Sequence, residues 1–172
     1  MAILTTDRLR LRPFTANDLD SLARIYGNAE VMAVRKDGTL TREQTAVKLD
    51  KIVAHWTAHG FGMWAVLERN DDAVIGECGL RYTDDPEDED PNQIELSYGL
   101  LPSHWGKGLA SEAARAALDF GLDPAGIEHV IAIAQAQNTA SHRILEKLGM
   151  RLVRRWREND KVDLVQYAIS TA

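Results

Sequence analysis

A single cysteine, Cys78, stands among 172 residues, so neither an internal disulfide nor a cysteine-built zinc cluster is available to this chain. Cys78 alternates with Val74, Gly76 and Leu80 in an apolar run, the setting of a buried small hydrophobe rather than a nucleophile. No apolar run approaches the ~20 residues a membrane helix needs. The opening MAILTTDRLRLRPF also lacks the long apolar core of a secretory leader, so the expectation is a soluble, cytoplasmic protein. Positive charge is scarce: 20 Lys and Arg face 26 Asp and Glu, giving a net charge of -6. That balance argues against general nucleic-acid binding and against a basic membrane-surface role. His104, His129 and His142 have no acids at metal-ligand spacing, and no metal is expected.

What is present reads as one globular domain over 1–172, with 45% hydrophobic and 27% charged residues. Residues 3–14 form a strand whose arginines face outward, and Thr15 or Asn17 caps a helix that runs to Tyr26. Thr41 and Gln44 form a capping-box pattern for a second helix with an apolar side of Val47, Leu49, Ile52, Val53 and Trp56, ended by Gly60. Strands are predicted at 63–67, 73–82, 94–101, 129–135, 151–156 and 162–169, and helices at about 107–122 and 140–148. The result is a mixed α/β fold. Trp56, Trp64 and Tyr98 are either core or the lining of a substrate cleft. The stretch 83–92, TDDPEDEDPN, holds six acids, enough to account for the whole net charge. A charge run is usually a solvated loop; the sharper reading is an acidic lip for a cationic substrate.

HWGKGLASEA, residues 104–113, places two glycines directly before a run of good helix formers. Glycine admits close approach of another group, and a helix N-terminus offers unpaired N–H groups with partial positive charge. The pair suggests an anion cradle. A P-loop does not fit, because Lys107 is followed by Gly108 rather than Ser or Thr. A dinucleotide fingerprint does not fit either: Ser111 stands where its third glycine belongs, and no strand-ending acid follows at the required distance.

WGKGLA, residues 105–110, resembles instead the pyrophosphate loop of the GNAT superfamily of acetyl-CoA-dependent N-acetyltransferases, R/Q-x-x-G-x-G/A, with Gly108 and Ala110 at the small-residue positions. Trp105 at the opening position departs from the general pattern and is similar to the ribosomal-protein N-terminal (RimJ/RimL-type) branch. IELSYGLLP resembles the strand before that loop, AQNTASHRILEKLGM the second family signature, and RLRLRPF the family's opening. The resemblance covers essentially the whole chain. It implies a central, mostly antiparallel sheet of about seven strands with about four helices, in which a splayed parallel pair forms the acetyl-CoA cleft.

The resemblance assigns the coenzyme A diphosphate to the backbone of Trp105, Gly106, Lys107, Gly108, Leu109, Ala110 and Ser111, where the helix dipole assists. It assigns the pantetheine arm and thioester carbonyl to the backbone of Leu100 and Leu101, and a further pantetheine contact to the Asn138 amide. Glu95 is the candidate general base, since alternation puts Glu95, Ser97 and Gly99 on one face of a strand. Ser141 is the candidate donor to the departing thiolate, directly or through water. Asn138 and Ser141 also suit helix capping, and Glu95 a plain salt bridge. The implied reaction is direct attack by a primary amine on acetyl-CoA, with a protein N-terminal α-amine as acceptor. Small amines (polyamines, amino acids, aminoglycosides) and a non-catalytic acyl-CoA sensor are the alternatives. A homodimer is compatible with the sequence and not specified by it.

Overall fold

The computed structural model describes residues 2–83, 90 and 92–171. The acidic stretch falls almost wholly on 84–89 and 91, outside the described residues. Among the described residues the strands are β1 (Leu4–Thr5), β2 (Leu9–Pro13), β3 (Met63–Glu68), β4 (Val74–Tyr82), β5 (Ile94–Leu100), β6 (His129–Gln135), β7 (Arg151–Glu158) and β8 (Val162–Ser170). The helices are α1 (Leu19–Tyr26), α2 (Ala29–Met32), α3 (Arg42–His59), α4 (Leu109–Leu122) and α5 (Thr139–Lys147). The strands form one sheet in the order β1-β2-β3-β4-β5-β6-β8-β7. All neighbours are antiparallel except β5 and β6, which run parallel. This is the mixed α/β architecture that the resemblance implies, with one parallel pair in an otherwise antiparallel sheet and eight strands where about seven are expected from sequence.

Local chemistry sets most element ends. Thr41 accepts from the Gln44 N–H while the Gln44 side chain accepts from the Thr41 N–H, and Gly60 ends α3 in the left-handed region at φ 75°. Thr15 and Asp18 form a second capping box ahead of α1. The short α2 is not legible in its residue periodicity; Asn28 makes it by accepting from the Glu30 and Val31 N–H groups. Two expectations are corrected. Arg10 and Arg12 are half-buried rather than outward, because each is held by an acid, Asp72 and Asp18 respectively. Val47 is 60% exposed, since α3 buries only the Thr45–Leu49–Ile52–Trp56 side.

The sheet is covered on both faces over β2–β5. On one face Trp64 packs edge-on to Phe120 of α4 and to Trp56, with Cys78 and Leu80 fully buried beside them. On the other face α1 and α2 meet an acid. Glu77, 0% exposed in the middle of β4, accepts a hydrogen bond from Tyr26 Oη at 2.5 Å and pairs with Arg35 at 2.6 Å. Burial and the neighbouring Glu77 charge push the Tyr26 phenol well above its ordinary value, so it remains a donor. Beyond β6, the edge strand β7 is exposed along most of its length and carries Arg151, Arg154, Arg155 and Arg157.

Burial predicts very different costs for two ion pairs. Glu77→Ala strands a buried guanidinium and is expected to lower stability by about 3–5 kcal/mol. Arg10→Ala, whose partner Asp72 is 96% exposed, is expected to cost less than about 1 kcal/mol. Urea denaturation of the two variants measures the difference.

Candidate active site

Parallel β5 and β6 share a single register pair, Glu95 with Ile131, and part beyond it toward their carboxyl ends. The parted strands leave backbone groups facing a gap, and buried backbone groups require partners. Leu101 N–H is not one of them, since it donates to Ile75 O on β4 at 2.8 Å. Strand alternation therefore turns Leu100 toward the gap. Its carbonyl accepts from the Trp105 indole at 2.7 Å, while its N–H points into the gap. Of the two leucines, only Leu100 presents a donor there.

Trp105 thus ties the end of β5 to the glycine turn. Gly106 and Gly108 sit at φ 72° and 77°, where an L side chain is strained. Gly108 is the N-cap of α4 and supplies no side-chain cap. The first N–H groups of α4, from Leu109 to Ser111, consequently lack intrahelical acceptors and face outward at the positive end of the helix. A phosphate oxygen is the group these donors suit.

A clamp from the bend between β1 and β2 holds the turn in place. Arg8 Nη1 donates to Lys107 O at 2.8 Å, and Arg8 Nε to Glu112 Oε2 at 2.7 Å. Glu112 Oε1 accepts from Thr6 Oγ1 at 2.6 Å and from the Arg8 N–H at 2.9 Å. Burial raises the Glu112 carboxyl, but the hydrogen bonds from Thr6 and Arg8 outweigh it and leave it below the usual carboxylate value. Arg8, Arg69 and Lys107 line an open cavity of about 430 Å³ beside the turn, together with Asp7 and Asp71. The clamp links residues about a hundred positions apart, which no local pattern can signal.

Across the gap Asn138 caps α5: Oδ1 accepts from the Ser141 N–H at 3.1 Å, and Nδ2 donates to Ser141 Oγ at 3.0 Å. The Ser141 oxygen accepts from Asn138, which leaves its hydroxyl hydrogen to be donated, and the Tyr98 phenol is its neighbour. Burial pushes Tyr98 up to about 12, opposed by the interaction with Ser141. Tyr98, one of the aromatics left open between core and cleft, is half-buried on the α4 side of β5 and joins Asn138 and Ser141 in one polar row. Trp56 and Trp64 are core. Cys78 is fully buried, and burial raises its thiol far above the ordinary value; it is no nucleophile.

On the opposite face, cross-strand partners put Glu77, Gly79 and Arg81 of β4 beside Gly99, Ser97 and Glu95 of β5. Register continues this face through Ile131 and Ile133 on β6, Gln166 on β8 and Arg154 on β7. Glu95 Oε2 accepts from Arg81 Nη2 at 2.8 Å, with only 13% of the Glu95 side chain exposed. The gap therefore has a carboxylate on one side, a phenol and hydroxyl on the other, and backbone donors at its end. Among the described residues no group of His, Cys, Asp and Glu has the makings of a metal site, and no helix is long and apolar enough to cross a membrane.

Comparison with known proteins agrees with this geometry. The Acetyltransferase (GNAT) domain family matches residues 8–151. The uncharacterized N-acetyltransferase p20 of Bacillus licheniformis is 28% identical over 152 residues, covering 88% of this chain and 83% of that protein. A GNAT-family acetyltransferase from Bacillus anthracis superposes with a TM-score of 0.83 at 25% identity, covering 98% of both chains. A ribosomal-protein alpha-N-acetyltransferase solved with coenzyme A has the same fold, with a TM-score of 0.81, 16% identity and 98% of both chains covered.

The Glu112 clamp makes a pH-dependent prediction. A carboxyl held below its unfolded value of about 4.3 stabilises the fold above that value and ceases to do so as pH falls through the folded one. Glu112→Gln should therefore lower the melting temperature at pH 7 and by visibly less near pH 4. Calorimetric titration of Arg8→Ala with acetyl-CoA should show binding weakened about tenfold, since Lys107 loses its tether. The strands, turn and helix cap that build this gap, with the family match over most of the chain, make the protein a member of the GNAT family of acetyl-CoA-dependent N-acetyltransferases.

Proposed function

We propose that this enzyme acetylates a protein N-terminal α-amine by direct attack of the amine on acetyl-CoA, with Glu95 as general base. The observation that carries the reading is the Arg81–Glu95 pair. A carboxylate already engaged by a guanidinium is suited to an amine that sheds its proton near neutrality. An α-amine does so at about 7.7–8.0, whereas a lysine amine requires about 10.4. The fold shared with a ribosomal-protein alpha-N-acetyltransferase and the Trp105-Gly106-Lys107-Gly108 turn support the same acceptor class.

The residues present fit acetyl-CoA. The N–H groups from Gly106 to Ser111 bind the diphosphate, the Leu100 N–H orients the thioester carbonyl, and Asn138 receives the pantetheine arm. When bound, the co-substrate supplies an activated acyl group on a thiol leaving group. The Leu100 N–H stabilises negative charge that develops on the carbonyl oxygen. Glu95 takes a proton from the amine, directly or through a water. Ser141, with Tyr98 behind it, donates a hydrogen bond to the sulfur. At about 12 the Tyr98 phenol stays protonated across the working pH range, so it serves as a fixed donor. Cys78, sealed in the core, leaves the ternary route rather than an acyl-cysteine one.

Glu95→Gln is expected to lower kcat by about 10²–10⁴-fold while acetyl-CoA still binds in calorimetry; a change confined to the acceptor KM would remove Glu95 from the base role. Acceptor class is tested with a peptide amide bearing a free N-terminus, an N-terminally blocked peptide bearing lysine, and a polyamine. Acetylation of the first above the others is the expected result. Preference for the polyamine would support the small-amine alternative, and acetyl-CoA binding without turnover on any amine would support the sensor.

A further inference from the structure

Arg35 is only half used by the ion pair that buries it. Its Nη1 lies 2.6 Å from Glu77 Oε1, but Nη2 is buried with no hydrogen-bond partner among the described residues. An unsatisfied buried donor costs stability and calls for an explanation. Its position supplies one. Nη2 lies against β5 at Gly99, where an added Cβ would stand 2.6 Å from it, so glycine is what lets the guanidinium rest on the strand. Gly99 shares its face with Ser97 and Glu95 and directly precedes Leu100, whose N–H points into the gap. The side chain as a whole is 21% exposed, while Nη2 itself is covered where it rests over Gly99.

From this we infer that Arg35 is an acceptor-positioning residue: Nη2 donates to an oxygen carried on the carbon next to the reacting amine, a peptide carbonyl or a free carboxylate. Successive residues on one face of a strand are about 7 Å apart, and one residue of extended chain spans about 3.5 Å. An amine placed beside Ser97 and Glu95 thus has its own backbone oxygen within reach of a guanidinium over Gly99. A lysine side chain or a polyamine has no oxygen at that position. The inference rests on the α-amine reading and deepens it, because it makes selection depend on the group beside the amine as well as on the amine's basicity.

The test is the selectivity of Arg35→Lys, which retains a cation for Glu77 but removes the second arm of the fork. Initial rates are compared for an amino-acid amide, the corresponding free amino acid and an alkylamine of similar size without the oxygen, at saturating acetyl-CoA. In the variant, the ratio of kcat/KM for the amide to that for the alkylamine is expected to fall at least tenfold, chiefly through the acceptor KM. The free amino acid shows whether carboxylate or carbonyl is the better ligand. A ratio within twofold of the wild type's overturns the inference. Acetyl-CoA binding by calorimetry reports whether the variant is folded. If it is not, Gly99→Ala, which moves the guanidinium from the strand side, decides by the same ratio. A wild type that shows no preference for the amide overturns the inference together with the α-amine reading, whereas a preference that survives both substitutions overturns the inference alone.

Discussion

The separation of two parallel strands after one ladder position is the constraint on which the rest depends. A sheet normally satisfies its backbone by pairing throughout; here β5 and β6 stop pairing beyond Glu95 and Ile131. The fold accommodates this by giving each exposed group a separate solution. Leu101 turns its N–H back to β4, the Trp105 indole takes the Leu100 carbonyl, and alternation turns the Leu100 N–H toward the gap. The glycine turn, α4 and α5 stand around that opening, and the polar groups of the site face it from both sides of the sheet.

Opening a sheet weakens it locally, and the neighbouring interactions are of the kind that resist further spreading. On one face Glu77 locks α1 and the α2 segment to β4 through Tyr26 and Arg35. At the end of the gap Arg8 and Glu112 tie β2 to the first turn of α4, so the turn cannot drift from the strand it follows. These contacts are charge-assisted and partly desolvated, which makes them directional. Apolar packing alone would not hold a glycine-rich turn in a single conformation.

Much of this was legible in the residues. Capping chemistry located α3 to the residue through Thr41, Gln44 and Gly60, and alternation placed Glu95, Ser97 and Gly99 on one face. The two glycines before an alanine-rich run located the turn that opens α4. What escaped is what sequence separation hides. Thr6, Arg8 and Glu112 meet only because β2 and α4 are neighbours in space, and Arg35 meets Glu77 only through the short α2, which is built by an Asn28 cap rather than by periodicity. Glu77 did leave a trace: a lone acid inside the apolar stretch VIGECGL, all of which is buried. Tyr98 left none, since a tyrosine on a strand serves equally as core and as a donor.

The arginines of β7 have a consequence for self-association. An exposed edge strand is an invitation to pair with another sheet, and this edge also shows Leu152 and Val153 at 39% and 57% exposure. Two copies meeting edge to edge there would bring Arg151, Arg154, Arg155 and Arg157 of each against the same four of the other. Like charges across a strand pair oppose it. The arginines thereby oppose growth of the sheet through this edge strand, although the chain as a whole is acidic.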